Sequence, residues 1–189
     1  MAVSRFNPDY PDAGLRQVVP TSVVVGSGSA SFNGNGTITG SGVSSLSVNG
    51  IFTSSYDKYL INITHSGATA AWLKMRFRES GSDITTGYYG ASFQYNYIGG
   101  TSNDFSRNNG IDMYLGQSDS NFGNSSWGIL TSEKGPAGAA RTTFIGQSWG
   151  AATPNQFGYG TTSGSADGFT LYPDTGIGNI TVYVYGFRN

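Results

Sequence analysis

The chain has 189 residues, of which 11% are charged, with a formal net charge of -1 and no cysteine. That length suffices for one packed domain, which must here stand on packing and hydrogen bonds without disulfides or thiolate metal sites. The near-neutral balance leaves no basic stripe for phosphates, which argues against a nucleic-acid partner, and no apolar run approaches the length of a membrane span.

Residues 1–20 hold three of the six prolines (Pro8, Pro11, Pro20), no strand alternation, and two isolated aromatics, Phe6 and Tyr10. They read as an extended arm ahead of a domain at 21–189, or as a frayed terminus. They also lack an apolar core of signal-peptide length, so a soluble chain without a cleaved leader is expected.

Beyond the arm, the longest interval free of both Gly and Pro is 51–66, too short for a long amphipathic helix. Aromatics make up 14% of the chain, a load that favours strands and argues against disorder despite 29 glycines. The expected fold is therefore all-β. Strand candidates run 23–32, 36–39, 43–52 and 58–64. In "WLKMRFRES" Leu73, Met75 and Phe77 share one face, while Trp72, Lys74, Arg76 and Arg78 share the face turned to water or a partner.

Further candidates are 87–97, 111–115, 126–131, 141–148, 155–162 and 167–172. In "GNITVYVYGFRN" at 178–189, Ile180, Val182 and Val184 alternate with Thr181, Tyr183 and Tyr185, so both faces should be covered. Turn signals such as "NGNG", "SGSD", "SRNNG" and "EKGPAG" separate the candidates. Short strands at this spacing describe an antiparallel β-sandwich of the jelly-roll type.

Catalytic patterns fail on context. "GQSWG" at 146–150 matches the Gly-x-Ser-x-Gly elbow, but that elbow needs a helix behind Ser148, and Pro154 with further glycines follows instead. His65, the only histidine, precedes the serine, against the order of the hydrolase fold, and one imidazole without cysteines makes no ordinary zinc site. The eleven acidic residues are scattered and select no carboxylate pair. No phosphate loop or EF-hand loop occurs, although calcium bound through backbone oxygens would leave no motif. Catalytic residues, metal and cofactor are all expected to be none.

The aromatic run 87–100, with Trp127 and Trp149, admits two readings. Phe93, Tyr95 and Tyr97 lie on one face at period two, which favours core or subunit interface, and Tyr88 is a further core candidate. Alternatively, exposed members of Tyr88, Tyr89, Tyr97, Trp127 and Trp149 form a platform for a glycan.

Three phrases, "FTSSYD" at 52–57, "RFRESG" at 76–81 and "YGFRN" at 185–189, resemble β-sandwich modules of tailed-bacteriophage virion proteins, the cyanophage type among them, known as minor tail, tail-fibre or capsid-decoration proteins. The likeness spans 18–189 and includes no catalytic residue. It implies a non-enzymatic virion protein, assembled in the host cytoplasm, whose partners are other virion proteins and two further copies of itself. The short leading segment favours a capsid decoration, cement or head-fibre protein docked through Phe6 and Tyr10. The alternative is a tail-fibre or minor tail module binding a host-surface glycan.

Overall fold

A computed structural model describes residues 14–56, 58–67, 71–96, 101–118, 124–134, 140–150, 153–161, 166–176 and 178–187. All secondary structure among them is strand: β1 Leu15–Gln17, β2 Ser22–Val25, β3 Ser29–Phe32, β4 Ile38–Val43, β5 Leu46–Asn49, β6 Lys58–Gly67, β7 Ala71–Glu79 and β8 Ser82–Asp83. Then follow β9 Tyr88–Asn96, β10 Thr101–Gly110, β11 Met113–Ser118, β12 Asn124–Lys134, β13 Ala140–Gly150, β14 Thr153–Thr161, β15 Gly168–Pro173 and β16 Gly178–Phe187.

The strands form two antiparallel sheets packed face to face. The large sheet has ten strands in the order β10-β9-β14-β13-β12-β6-β16-β4-β3, with β1 also paired to β16. The small sheet has six, in the order β11-β7-β15-β5-β2, with β8 paired to β7. Period two decides which side chains meet between the sheets. Ile61 and Ile63 of β6, Val182 and Val184 of β16, and Leu130 and Phe144 of β12 and β13 point inward from the large sheet. Leu73, Met75 and Phe77 of β7, Phe169 and Leu171 of β15, and Leu46 and Val48 of β5 meet them from the small one. Every one of these side chains is buried.

One corner couples the sheets. Phe52 stands edge-on to Tyr59 of β6 at 4.9 Å and to Phe77 of β7 at 6.4 Å, and lies tilted against Phe169 of β15 at 5.8 Å. The Tyr59 hydroxyl accepts from Thr53 N–H at 2.6 Å and donates to Thr53 C=O at 2.8 Å, which closes the turn. Gly50, at φ +62, lets the chain enter this corner: a Cβ there would strike Thr21. Gly186 of β16 lies under the Tyr56 ring, 2.3 Å from where its Cβ would be, so only glycine fits.

A second tie joins the layers through Tyr88. Its hydroxyl accepts from Phe77 N–H at 2.7 Å and donates to Ile84 C=O at 3.0 Å, and burial pushes its pKa up.

Several expectations are modified. The candidate at 23–32 is two strands, split by the turn at 26–28, and 43–52 shortens to β5 because Gly50 turns the chain. The polar strand β10, which contains "SRNNG", and the two-residue β8 within "SGSD" are additional elements. Residues 1–13, with Phe6 and Tyr10, lie outside the described residues, as does Tyr97. The rest of the proposed arm is tied down: β1 pairs Leu15 with Phe187, and Val18 enters the core. Phe93 is not a core residue; it is 47% exposed, because on β9 the inward positions are Tyr88, Ser92 and Gln94. Arg78, read as facing water or a partner, is instead largely enclosed, its guanidinium donating to Asp83, Ser47, Thr170 and Asn49 side chains and to Gly81 C=O.

Replacing Tyr59 by Phe removes both hydroxyl bonds, taking from Thr53 N–H its acceptor and leaving Thr53 C=O only the longer bond from Tyr56 N–H at 3.4 Å. A loss of about 1–3 kcal/mol is expected, seen as a lower urea midpoint at unchanged slope.

Candidate binding face

The two outer faces differ in kind. On the small sheet, charged groups pair with one another and with rings. Lys74 Nζ lies 4.9 Å from the Tyr114 centroid, and the Arg76 guanidinium lies 4.7 Å from that of Tyr172. Tyr172 donates to Asp112 Oδ2 at 2.6 Å; burial first, and this bond second, push its pKa up. Arg76 is also 3.8 Å from Asp83. This face is a closed polar network.

The large sheet turns an open and largely neutral face outward, and strand register builds it. Residues paired across antiparallel strands share a face, so partners can be followed from strand to strand. One row reads Ala91, Gly158, Ile145, Ile129, Leu60, Tyr185 across β9, β14, β13, β12, β6 and β16. The next reads Phe93, Gln156, Gln147, Trp127, Asn62, Tyr183. On the far side Trp149 pairs with Ser125, which pairs with Thr64. The first row is apolar with a glycine in it, and the second sets carboxamides between rings, two of them side by side.

Between Phe93 and Trp127 lies a groove of about 800 Å³, lined by Ala91, Phe93, Trp127, Ile129, Ile145 and Gln147 among others, with Gly158 in its floor. That volume is within the range of ligand clefts. Its walls are accessible: Phe93 is 47%, Trp127 44% and Ile145 60% exposed. Trp149, at 58%, flanks the groove without lining it. Of the two tryptophans expected as a platform, Trp127 is thus in the groove and Trp149 beside it. Tyr89 is exposed as well, whereas Tyr88 is buried and drops out of the platform.

The inner face of the same sheet disposes of the catalytic candidates. Ser148 sits near the end of β13, turned inward and buried, and its Oγ makes no hydrogen bond among the described residues. Without a base in reach it is not an activated nucleophile. His65 is also buried and inward, but on β6, with β12 between it and β13. Desolvation lowers its pKa from 6.5 to about 4. No group of His, Cys, Asp and Glu able to hold a metal occurs among the described residues, and none of them forms a membrane-spanning helix.

The sequence pointed to Trp127 and Trp149 but missed Phe93 as an outward residue, and with it Ile145, Gln147, Asn62 and Tyr183. The turn signal alone would not have found them: counting back equally from "EKGPAG" at 133–138 sets Trp127 opposite Phe144, whereas the register observed sets it opposite Gln147.

No protein-family model matches the chain, and no curated protein does. Among solved structures, similarity is found to a variant of alginate lyase Aly36B in complex with alginate trisaccharide, at 11% identity and a TM-score of 0.28, covering 94% of this chain and 99% of that one. A second structure of alginate lyase Aly36B gives 10% identity and a TM-score of 0.29, covering 90% and 97%. Likeness at this level carries no argument about activity.

The buried histidine predicts a pH effect on stability. As pH falls below 6.5 the unfolded chain protonates His65, whereas the folded chain resists down to about 4. Stability should therefore decline across that window, by up to about 3 kcal/mol, and level off below it as far as this group is concerned. Thermal midpoints followed from about pH 7 to about pH 4.5 should fall in the native chain and fall less in His65→Gln.

Proposed function

We propose that the chain is a non-enzymatic structural module of a tailed-phage virion, a capsid decoration or head-fibre protein that assembles as a homotrimer and attaches through its N-terminal residues. The observation that carries this reading is where the three resembling phrases lie. "FTSSYD" supplies Phe52 and Tyr56, "RFRESG" supplies Phe77, and "YGFRN" supplies Gly186, and these residues meet at one corner through the Phe52–Phe77 contact and the seating of Tyr56 over Gly186. Phrases 25 to 130 residues apart in sequence that converge on one junction specify an architecture, as a likeness between structural modules requires. The enclosed Ser148 and His65 support a role in binding over one in catalysis.

A second reading, a tail-fibre or minor tail module that binds a receptor or carbohydrate, is favoured by the open aromatic face of the large sheet.

The structural reading is tested on the intact chain by sedimentation, where three times the chain mass is expected. Deleting residues 1–13, ahead of β1, should leave the trimer folded and abolish incorporation into particles. A folded monomer that joins no particle would refute it.

A further inference from the structure

We infer that the outer face of the large sheet binds an uncharged polysaccharide, lying across the strands along the row Phe93, Gln156, Gln147, Trp127, Asn62, Tyr183. This rests on the second reading above and names the class of its ligand.

Three features of the face lead to it. First, register sets carboxamides between the rings of the row: Gln156 and Gln147 stand between Phe93 and Trp127, and Asn62 stands between Trp127 and Tyr183. A sugar ring offers a C–H face and a rim of hydroxyls. An aromatic side chain takes the face, and a carboxamide, which both donates and accepts, takes the rim. A protein partner would need apolar continuity here, and the amides interrupt it.

Second, the surface is concave. Gly158 opens the floor: a Cβ at that position would meet only Ile145 Cγ1, at 3.9 Å. Phe93 and Trp127 stand three strands apart, about 14 Å at the usual strand spacing, so an extended chain of several rings can rest on both walls. A flat patch would suit a subunit better than a strand-crossing groove does.

Third, the charge is wrong for an acidic ligand. Neither row holds a cation between β9 and β16, and Lys58 lies one row beyond the apolar one. A polyanion would be desolvated against this face without compensation. The neutral class remains.

The test is affinity electrophoresis of the full chain through gels containing hydroxyethylcellulose, galactomannan or dextran, with alginate as the anionic control. Retardation is expected in at least one neutral gel and not in alginate. Trp127→Ala and Phe93→Ala should each weaken the interaction about tenfold. Gly158→Val, which fills the groove at a strand position that tolerates a β-branched side chain, should abolish it while preserving the thermal midpoint. Val24→Ser on the small sheet should change nothing.

Stronger retardation in alginate would overturn the neutral class and leave carbohydrate binding standing. No retardation in any gel, or retardation unaffected by all three groove substitutions, would overturn the site itself. A fall in sedimentation mass on Trp127→Ala or Phe93→Ala would assign the face to contact between copies and likewise overturn it.

Discussion

The structure depends first on the packing of Phe52. Its ring is the meeting point of Tyr59 from the large sheet and of Phe77 and Phe169 from the small one, so it fixes how the two sheets sit over each other. Because Tyr59 also closes the preceding turn through Thr53, β6 leaves this corner with a set phase. Everything on either side follows from that phase. A slip of one residue in β6 would turn Ile61 and Ile63 outward and Leu60 and Asn62 inward, and would carry β12 and β16 with it. The outer rows of the large sheet are therefore a consequence of core packing at its corner, transmitted strand by strand through hydrogen-bonded register.

The same phase explains why Ser148 and His65 are enclosed. In "GQSWG" the small residues Gly146 and Ser148 take the inward positions of β13, and Gln147 and Trp149 take the outward ones. A pattern that elsewhere exposes a nucleophile is here an ordinary alternation, with the serine enclosed and the tryptophan exposed. His65 is kept neutral by desolvation in the same layer. The charged residues of β7 are consumed on the far side of the molecule by the Arg78 and Arg76 networks. Across the two rows, what is left open on the large sheet is surface without charged side chains, which suits recognition.

Legibility in the sequence tracked contrast between faces. β7 and β16 were readable because large aliphatic residues alternate with charged or aromatic ones, a difference that period two exposes. β10 was hidden because "SRNNG" carries turn residues; it is an edge strand with one neighbour, and an edge need not present an apolar stripe. Gly40 and Gly42 concealed the second half of β4 in the same way. The three converging phrases were visible one at a time, but not their convergence. The outer face was the least legible feature, since the residues of its two rows come from positions 60 to 185 and meet only through a strand order, β9-β14-β13-β12-β6-β16, that leaps back and forth along the chain. Local pattern can give which way Trp127 points; it cannot give Asn62 as its neighbour.

That strand order also bears on why such a face is tolerated. A contiguous apolar surface of this extent on a soluble chain invites association unless something breaks it up or covers it. Ile129, Ile145 and Leu60 would form that surface alone, but the adjoining row sets Gln147 and Asn62 on either side of Trp127. Amides hydrated in the free protein hold the hydrophobic row to a single strip, and Gly158 recesses its middle. The result is a face that keeps exposed rings without offering the broad dry contact that a stable subunit interface needs. Association with a ligand that has its own hydroxyls would exchange those hydrated amides for new partners, whereas burial against a second hydrophobic sheet would strand them.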